Sequence, residues 1–400
     1  MFKKKPVQEP QRFASESSAR VYSRDNTERY AQRSRQRRRG KRIKRTVLCT
    51  LVGVLLCGTV ACGLWFAKIA SKLNNSSVIT GGLLDTLVDS NVNKDPFYML
   101  LLGTDGRPGE DSYRSDSIIL ARIDPSKKQA TLISIPRDTK VEYNGQIMKI
   151  NATHFHDGAE GVVKAVNDLC GVKISHYAEI NFDGMKKLID AVGGIDLYIP
   201  EGDEVHDKDA GPVTVDSGQQ HLNGEAALTF SRSRHQFVDG DYTRMRHQRM
   251  VLGALAKQIL NNLDPSKVVT LVDSLSDMVI TDLSPTDIAS LVNAMRGMDV
   301  DKMYSANLPS WAGEDTFING QSYVFVYEDE LKEMMKRVDA GEDPKGPQTA
   351  GQVSGGGTIG DLSTNSNKDW RYDTAEKEDS SSSSDSSGSS SNSSSSDSNS

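Results

Sequence analysis

Three rhythms of apolar residues run through this chain, and each predicts a different element. Residues 47–67 are apolar without a single charge; as a helix at about 1.5 Å per residue they cover roughly 30 Å, the hydrocarbon thickness of a bilayer. Short dense apolar runs at 98–102, 117–123, 129–135, 177–182, 195–199, 303–308 and 322–326 read as strands. Asp124-Pro125-Ser126 between the second and third marks a hairpin. Elsewhere the period is that of a helix. Val162, Val163, Val166 and Leu169 repeat at helical spacing, with Asp157 read as N-cap, Glu160 as its capping-box partner and Gly171 as the C′ residue. Asp183 is read as the cap of a helix carrying Met185, Leu188, Ile189 and Val192, stopped by Gly193-Gly194. Asn223 opens a helix to about residue 232, a long helix follows over 242–261, and Ser284-Pro285 starts another. A helix at 328–337 closes the series, and a short one at 83–88 precedes it. One hairpin together with helical crossovers implies a mixed sheet. The predicted fold is a three-layer α/β/α sandwich with a mixed central sheet, preceded by one transmembrane helix.

Charge orients that helix. Residues 1–45 hold 16 Lys/Arg against 4 Asp/Glu, a balance of +12; the whole chain is −6, so the remainder carries −18. The positive-inside rule predicts a single-pass type II protein of the cell membrane, with a cytoplasmic N-terminus and an extracellular domain. A cleaved signal peptide fits less well, because the basic stretch and the apolar run are both too long. Thr59-Val60-Ala61-Cys62 is only an imperfect lipoprotein box. Beside a membrane span, the basic arm reads as a topology signal meeting anionic headgroups, not as a nucleic-acid site.

Composition divides the chain into a basic disordered cytoplasmic arm (1–45), the transmembrane helix (46–68), an extracellular stalk (69–94), a folded domain (95–340) and a disordered Ser-rich tail (341–400). Cys49, Cys57 and Cys62 fall in the span, which leaves Cys170 without an intrachain partner outside it. The domain therefore depends on its hydrophobic core. His154-x-His156 lacks zinc-like company and reads as structural or surface.

Chemistry concentrates where apolar runs end. Gly103-Thr104-Asp105-Gly106-Arg107 follows one strand, Arg114-Ser115-Asp116 precedes the next, and Pro136-Arg137-Asp138 follows a third. Ligands of α/β folds sit at strand ends. Several arginines with two or three aspartates suit a phosphate group and a divalent metal, since Arg forks onto phosphate and hard carboxylates hold Mg²⁺. A second cluster joins Arg232-x-Arg234 to Asp241, Arg244 and Gln248; the last two share a helix face that continues as Val251, Leu255 and Ile259. Each motif alone is more often a solvated ion pair, and only their assembly favours function. Asp203, Glu204, Asp207 and Asp209 read as an exposed acidic loop.

These motifs in this order resemble the LytR-CpsA-Psr family of cell-envelope proteins: Leu-Leu-Leu-Gly-Thr-Asp-Gly-Arg, Arg-Ser-Asp-Ser, Ser-Ile-Pro-Arg-Asp, Glu179-Ile-Asn-Phe-Asp-Gly, Gln220-His-Leu-Asn-Gly-Glu, Ser-Arg-Ser-Arg, then Asp-Tyr-Thr-Arg and Gln. The likeness covers about residues 96–262 and makes 95–340 a catalytic domain. It implies a phosphotransferase of cell-wall biogenesis, attaching a glycopolymer such as teichoic acid or capsule polysaccharide from a polyprenyl-pyrophosphate carrier to peptidoglycan. It further implies Asp105 and Asp116 as ligands of Mg²⁺ (or Mn²⁺), and Asp241 as the group that orients an arginine. Arg107, Arg114, Arg137, Arg232, Arg234, Arg244 and Gln248 would surround the pyrophosphate. Asp105, Asp116, Arg137 and Asp241 form the expected catalytic set. Where the family often has Arg before the Gln, this chain has His247, and Arg246 is the candidate to compensate. Two other readings use the same residues: a non-catalytic regulator or scaffold that binds the lipid-linked intermediate, and a pyrophosphatase that gives the carrier to water.

Overall fold

The computed structural model describes residues 78–105 and 115–345, apart from 238–239, 263, 277 and 313–315, with residues 356–358 and a few positions between 63 and 72. The arm, most of the predicted span and nearly all of the tail lie outside the described residues. Among the described residues no helix is long and apolar enough to cross a membrane. The chain forms two units, Met1–Ala67 and Lys68–Ser400, and the second holds the fold.

A short helix α1 (Gly81–Thr86), capped by Thr80, leads into β1 (Phe97–Thr104). β2 (Ser115–Asp124) and β3 (Gln129–Ser134) form the predicted hairpin, its turn held by Asp124, which accepts from Ser126 Oγ and Lys127 N. A small hairpin, β4 (Lys140–Tyr143) with β5 (Gln146–Lys149), precedes α2 (Ile150–Cys170). Next come β6 (Ile174–Asn181), α3 (Phe182–Ala191) and a second small hairpin of β7 (Ile195–Ile199) with β8 (Gly218–Leu222). They are followed by α4 (Gly224–Arg232), α5 (Asp241–Asn262), α6 (Pro265–Leu275), β9 (Val279–Thr281) and α7 (Pro285–Met295). The last stretch holds β10 (Tyr304–Asn307), β11 (Ser310–Trp311), β12 (Phe317–Ile318), β13 (Gln321–Ser322), β14 (Phe325–Val326), α8 (Glu328–Ala340) and β15 (Gly356–Thr358).

Seven of these strands make one mixed sheet in the order β15-β10-β3-β2-β1-β6-β9. β1 runs parallel to β6 and β3 parallel to β10, while β2 is antiparallel to both β1 and β3. The ends of β1, β3, β6 and β10 and the start of β2 therefore share one edge of the sheet. Alternation sorts the side chains to two faces. Tyr98, Leu100, Leu102, Ile118, Leu120 and Ile133 pack with Val162, Val163 and Val166 of α2 and with Met334 and Val338 of α8. Phe97, Met99, Ile119, Ala121 and Leu132 pack with Ile189 of α3, Phe230 of α4, and Met250, Val251 and Leu255 of α5. Helices cover both faces, so the central strands are buried on both, which is why they read as near-continuous apolar runs.

Most predicted punctuation appears in place. Gly171 ends α2 in the left-handed region at φ 65, Asn223 caps α4 through Ala226 N, and Ser284 with Asp287 forms a capping box on α7. Four expectations change. α2 has an earlier segment that starts at Ile150; its backbone is not helical at Asp157 and Gly158 (φ −130 and 59), and a second segment starts after them, as expected. Asp157 there accepts from the Tyr143 hydroxyl, and Glu160 pairs with Lys164. The cap of α3 is Asn181, whose side chain accepts from Gly184 N, while Asp183 lies in the first turn. The single strand expected at 322–326 is broken into pieces that pair with separate partners. Finally, β15 lies within the stretch that composition assigns to the tail, and pairs antiparallel with β10.

Cys170 is free and buried, and burial pushes its thiol pKa up to about 12. A thiol so protonated is a poor nucleophile. In the native domain it should resist a disulfide exchange reagent at pH 8, and react at the rate of an exposed thiol only after denaturation.

Candidate active site

The sheet edge shared by four strand ends opens into a cavity of about 250 Å³. Asp105 follows β1, Asp116 opens β2, Arg137 follows β3 and Phe182 follows β6. Asp116 reaches the cavity through a local irregularity. Gly103 pairs with Ser117 and Thr104 with Ser115, which leaves Asp116 as the extra residue of a β-bulge. Such bulges re-aim a side chain. Gly103 fits this close pairing: a Cβ there would stand 3.0 Å from Ser117 Cβ.

Arg137 is fixed by its backbone. Asn151 N at the start of α2 donates to its carbonyl, and Thr139 closes the turn onto Pro136 O. Its guanidinium pairs with Asp116. Burial works against the Arg137 charge, but Asp241, Asp116 and Asp138 outweigh it and hold its pKa above the ordinary value. Arg244 differs. Burial, helped by repulsion from Arg137 and Arg234, lowers its pKa despite Asp241, though an arginine remains charged. Its Nη2 lies 2.6 Å from Asp241 Oδ1, off the N–H direction, so the contact is an ion pair more than a hydrogen bond. Arg244 Nη2 also reaches Asp116 O at 3.3 Å. Among the described residues, the buried Nε atoms of Arg137 and Arg244 and the Ser115 hydroxyl have no hydrogen-bond partner.

Gln248 lies one turn further along α5. It accepts from Ser117 Oγ at 2.9 Å and donates to Ser231 O at 3.4 Å. Arg232, the last residue of α4, rests its guanidinium 4.8 Å from the centroid of the Phe182 ring, a cation–π contact. Arg249 places α5 itself. Fully buried, it donates to Ser134 of β3 and to Ser305 of β10, tying the helix to the sheet.

The cavity thus gathers Asp105, Asp116, Arg137, Arg232, Arg234, Arg244 and Gln248 in its lining. Asp241 stands behind Arg244. Arg107 and Arg114 lie outside the described residues. The same lining includes the apolar side chains of Leu101, Ile180, Phe182, Met185, Leu228 and Leu252. Four arginines face four carboxylates, Asp105, Asp116, Asp207 and Asp209. A site so balanced suits a phosphate anion arriving with a divalent cation, because the anion alone would leave buried negative charge. Asp105 and Asp116 offer the hard oxygens that Mg²⁺ prefers, one Asp116 oxygen being engaged by Arg137.

The acidic loop was expected to be solvated, and there the structure differs. Asp203 is 1 % exposed and forms a buried bidentate pair with Arg246 of α5. Arg246 therefore faces away from the cavity and does not stand in for the missing arginine. His247 is buried too, stacked on Phe230 at 3.9 Å, with Nδ1 3.1 Å from Phe230 O and Nε2 4.0 Å from Asp203, too far to bond. The pair holds the loop down so that Asp207 and Asp209 line the cavity, a placement no spacing in the sequence signals. Donor atoms of Asp207, Asp209 and His235 lie within 4.8 Å of one another. Asp209 and His235 are exposed, however, and Asp207 already accepts from Asp209 N and Ser233 Oγ. His154, read as structural or surface, is buried beside Glu179.

Residues 67–340 match the LytR_cpsA_psr family. The chain belongs to that family. Over 319 residues it is 30% identical to "Biofilm regulatory protein A" of Streptococcus mutans, covering 74% of this chain and 77% of that protein. It is 33% identical over 246 residues to the polyisoprenyl-teichoic acid–peptidoglycan teichoic acid transferase TagU of Enterococcus faecalis, covering 60% of this chain and 78% of that protein. Among solved structures, the crystal structure of TagV from B. subtilis shares the fold with a TM-score of 0.56 at 28% identity, over 62% of this chain and 97% of that one. This LytR-CpsA-Psr chain thus shares its mixed sheet and flanking helices with a solved relative.

Proposed function

We propose that this protein is a phosphotransferase that moves a glycopolymer from a polyprenyl-pyrophosphate carrier onto peptidoglycan. One observation carries the reading: a cavity whose lining divides between polar groups, namely four arginines, an amide and two strand-end aspartates, and apolar side chains such as Phe182, Met185 and Leu252. A pyrophosphate joined to a polyprenyl chain has that same division. The teichoic acid transferase named among the relatives supports it.

Arg137, Arg232, Arg234 and Arg244 hold the two phosphates, Gln248 fixes a non-bridging oxygen, and the prenyl chain leaves along Phe182, Met185 and Leu252. Asp241 orients Arg244. The acceptor hydroxyl oxygen bonds to the sugar-linked phosphorus. The bond from that phosphorus to the bridging oxygen breaks, polyprenyl phosphate leaves with the electron pair, and the hydroxyl proton passes to solvent. Phosphoryl transfer asks mainly for positioning and charge neutralisation, which these residues supply. Mg²⁺ held by Asp105 and Asp116, when bound, would neutralise charge on the phosphates. Residues 46–68 anchor the chain with the basic arm in the cytoplasm and the cavity on the outer side, as the charge asymmetry requires.

The test gives the purified full-length chain, in detergent with Mg²⁺, a polyprenyl-pyrophosphate-linked sugar and peptidoglycan oligomers, and weighs the products. A sugar-phosphate adduct on the oligomer together with polyprenyl phosphate is expected. Polyprenyl phosphate with free sugar phosphate, whatever the acceptor, would instead make it a pyrophosphatase.

A further inference from the structure

We propose that the aromatic strip formed by Trp311, Phe325 and Tyr327, next to the turn that carries Arg137, is where the acceptor glycan chain lies. The inference rests on the transferase reading and adds to it the place of the second substrate.

The order of strands sets the geometry. Across the shared edge the sequence is β10, β3, β2, β1, β6. At the β6 end the lining is apolar, through Ile180 and Phe182, and the aspartates belong to β1 and β2. Arg137 follows β3, and the strip follows β10. At about 4.8 Å per strand, β6 and β10 stand roughly 19 Å apart with the phosphate-binding residues between them. In an in-line displacement the attacking and leaving oxygens occupy opposite sides of the phosphorus. With the prenyl phosphate departing over β6, the acceptor must come from the side of β10.

What stands there has the chemistry of a sugar-binding surface. Trp311 and Phe325 pair across two short strands and stack, centroids 5.2 Å apart and planes at 29°. Tyr327 continues the row, 6.4 Å from Trp311. Trp311, Phe325 and Tyr327 are half-buried, and Phe317, in the adjacent hairpin, is 59 % exposed. Rings held in this way cover the apolar C–H faces of pyranoses at little cost in conformational entropy. Two lysines border the strip: Lys140 Nζ lies 5.2 Å from the centroid of Phe325 and Lys149 Nζ 5.9 Å from that of Tyr323. Lys149 Nζ is paired with Asp138 at 2.9 Å, and Lys140 suits a glycan that bears carboxylates, as peptidoglycan does.

The strip is also wired to the site. Val324 N donates to the carbonyl of Asp138 and Lys140 N to the carbonyl of Val324, so the strip is stitched to the turn that carries Arg137. The Tyr242 hydroxyl, one residue after Asp241, meets Ser310 Oγ at 3.0 Å. A glycan on the strip would present a hydroxyl toward Arg137 without crossing the prenyl path.

The experiment uses the full chain, whose tryptophans are Trp65, Trp311 and Trp370. In a W65F/W370F background, emission from Trp311 is followed as soluble, carboxylate-bearing peptidoglycan oligomers are added without donor. Saturable quenching is expected, with the half-point raised on the order of tenfold by Phe325→Ala. In the transfer assay, Trp311→Ala should raise KM for the oligomer by a similar factor, leave KM for the lipid donor unchanged, and be rescued by Trp311→Phe. An unchanged melting temperature shows that the variants are folded. No emission response at oligomer concentrations that saturate transfer, or an unaltered acceptor KM in folded Trp311→Ala, overturns the inference and leaves the transferase reading intact. So does a Trp311 response to the concentration of the protein itself in place of the glycan, which would make the strip an interface between copies. A glycan response from a chain that never forms adduct supports the strip and removes the transferase reading instead.

Discussion

Alanine at position 137 is expected to lower kcat for transfer by about 10²–10³-fold, with a much smaller change in the KM of the lipid donor. Arg137 is the cation best prepared for the reaction. Its backbone is held by Asn151, its guanidinium is half-sheltered and paired with Asp116, and its Nε is left without a partner among the described residues. Charge that builds on the transferring phosphate finds these donors already oriented, so little reorganisation is needed. Lysine at the same place keeps the charge but loses the fork, and should recover only part of the rate. Steady-state kinetics of both variants check this. A loss confined to donor KM would make Arg137 a docking residue with no share in the transition state.

The second large effect is on stability. Arg246→Met should cost about 3–5 kcal/mol, because it leaves Asp203 charged and alone in the interior; for a domain of this size that is a fall in melting temperature of roughly 6–15 °C. The pair is almost wholly buried, at 2% and 1% side-chain exposure. Burial alone would raise the Asp203 pKa, and the Arg246 guanidinium instead holds it far below the carboxylate range. The sign follows by linkage. A depressed carboxylate adds stability that is complete above its unfolded value, about 3.9, and is lost as pH falls through the lower folded value. His247, whose pKa burial lowers, stays neutral in the fold. Below about pH 6.5 the unfolded chain takes up that proton first, so native stability begins to decline there. In Arg246→Met the sign for Asp203 reverses, since an unpaired buried carboxylate titrates high. The deficit of the variant against the parent should therefore shrink as pH is lowered from 8 to 5. Thermal melts of both proteins across that range measure it, and a deficit constant with pH would show that Asp203 is not charged in the fold.

What was legible in the sequence was what is local. The β2–β3 hairpin, the Gly171 stop, the Asn223 cap and the Ser284 box depend on residues within one turn of each other, and each appears where its signal stands. Near-misses are also local. Asp183 and Asn181 are rival caps two positions apart, and the hydrogen bond to Gly184 selects Asn181. Asp157 with Gly158 marks a real interruption, and what the pattern did not signal is the preceding segment that begins at Ile150. Asp203 was misread because composition reports only that a loop is acidic. Its partner lies 43 residues away, and a buried ion pair leaves no periodic trace. β15 was hidden for a related reason: Gly-Gly-Thr offers no side-chain pattern, and the strand exists through backbone pairing to β10.

The cavity was legible to a greater degree. Charged clusters at the ends of apolar runs imply a shared edge once the strands are parallel, and β1, β3 and β6 are parallel. The apolar part of its lining was not, since Phe182, Met185 and Leu252 have the spacing of ordinary core. Nor was the aromatic strip, assembled from strands two residues long.

The account turns on which bond breaks and where the phosphorus goes. The direct measurement supplies the lipid donor with ³²P only at the sugar-linked phosphorus, adds peptidoglycan oligomers and the full-length chain, and follows the label. Label recovered in a covalent adduct with the oligomer, with the released polyprenyl phosphate unlabelled, is the result predicted. Label remaining on the lipid, or appearing as free sugar phosphate while the oligomer stays unmodified, would contradict it.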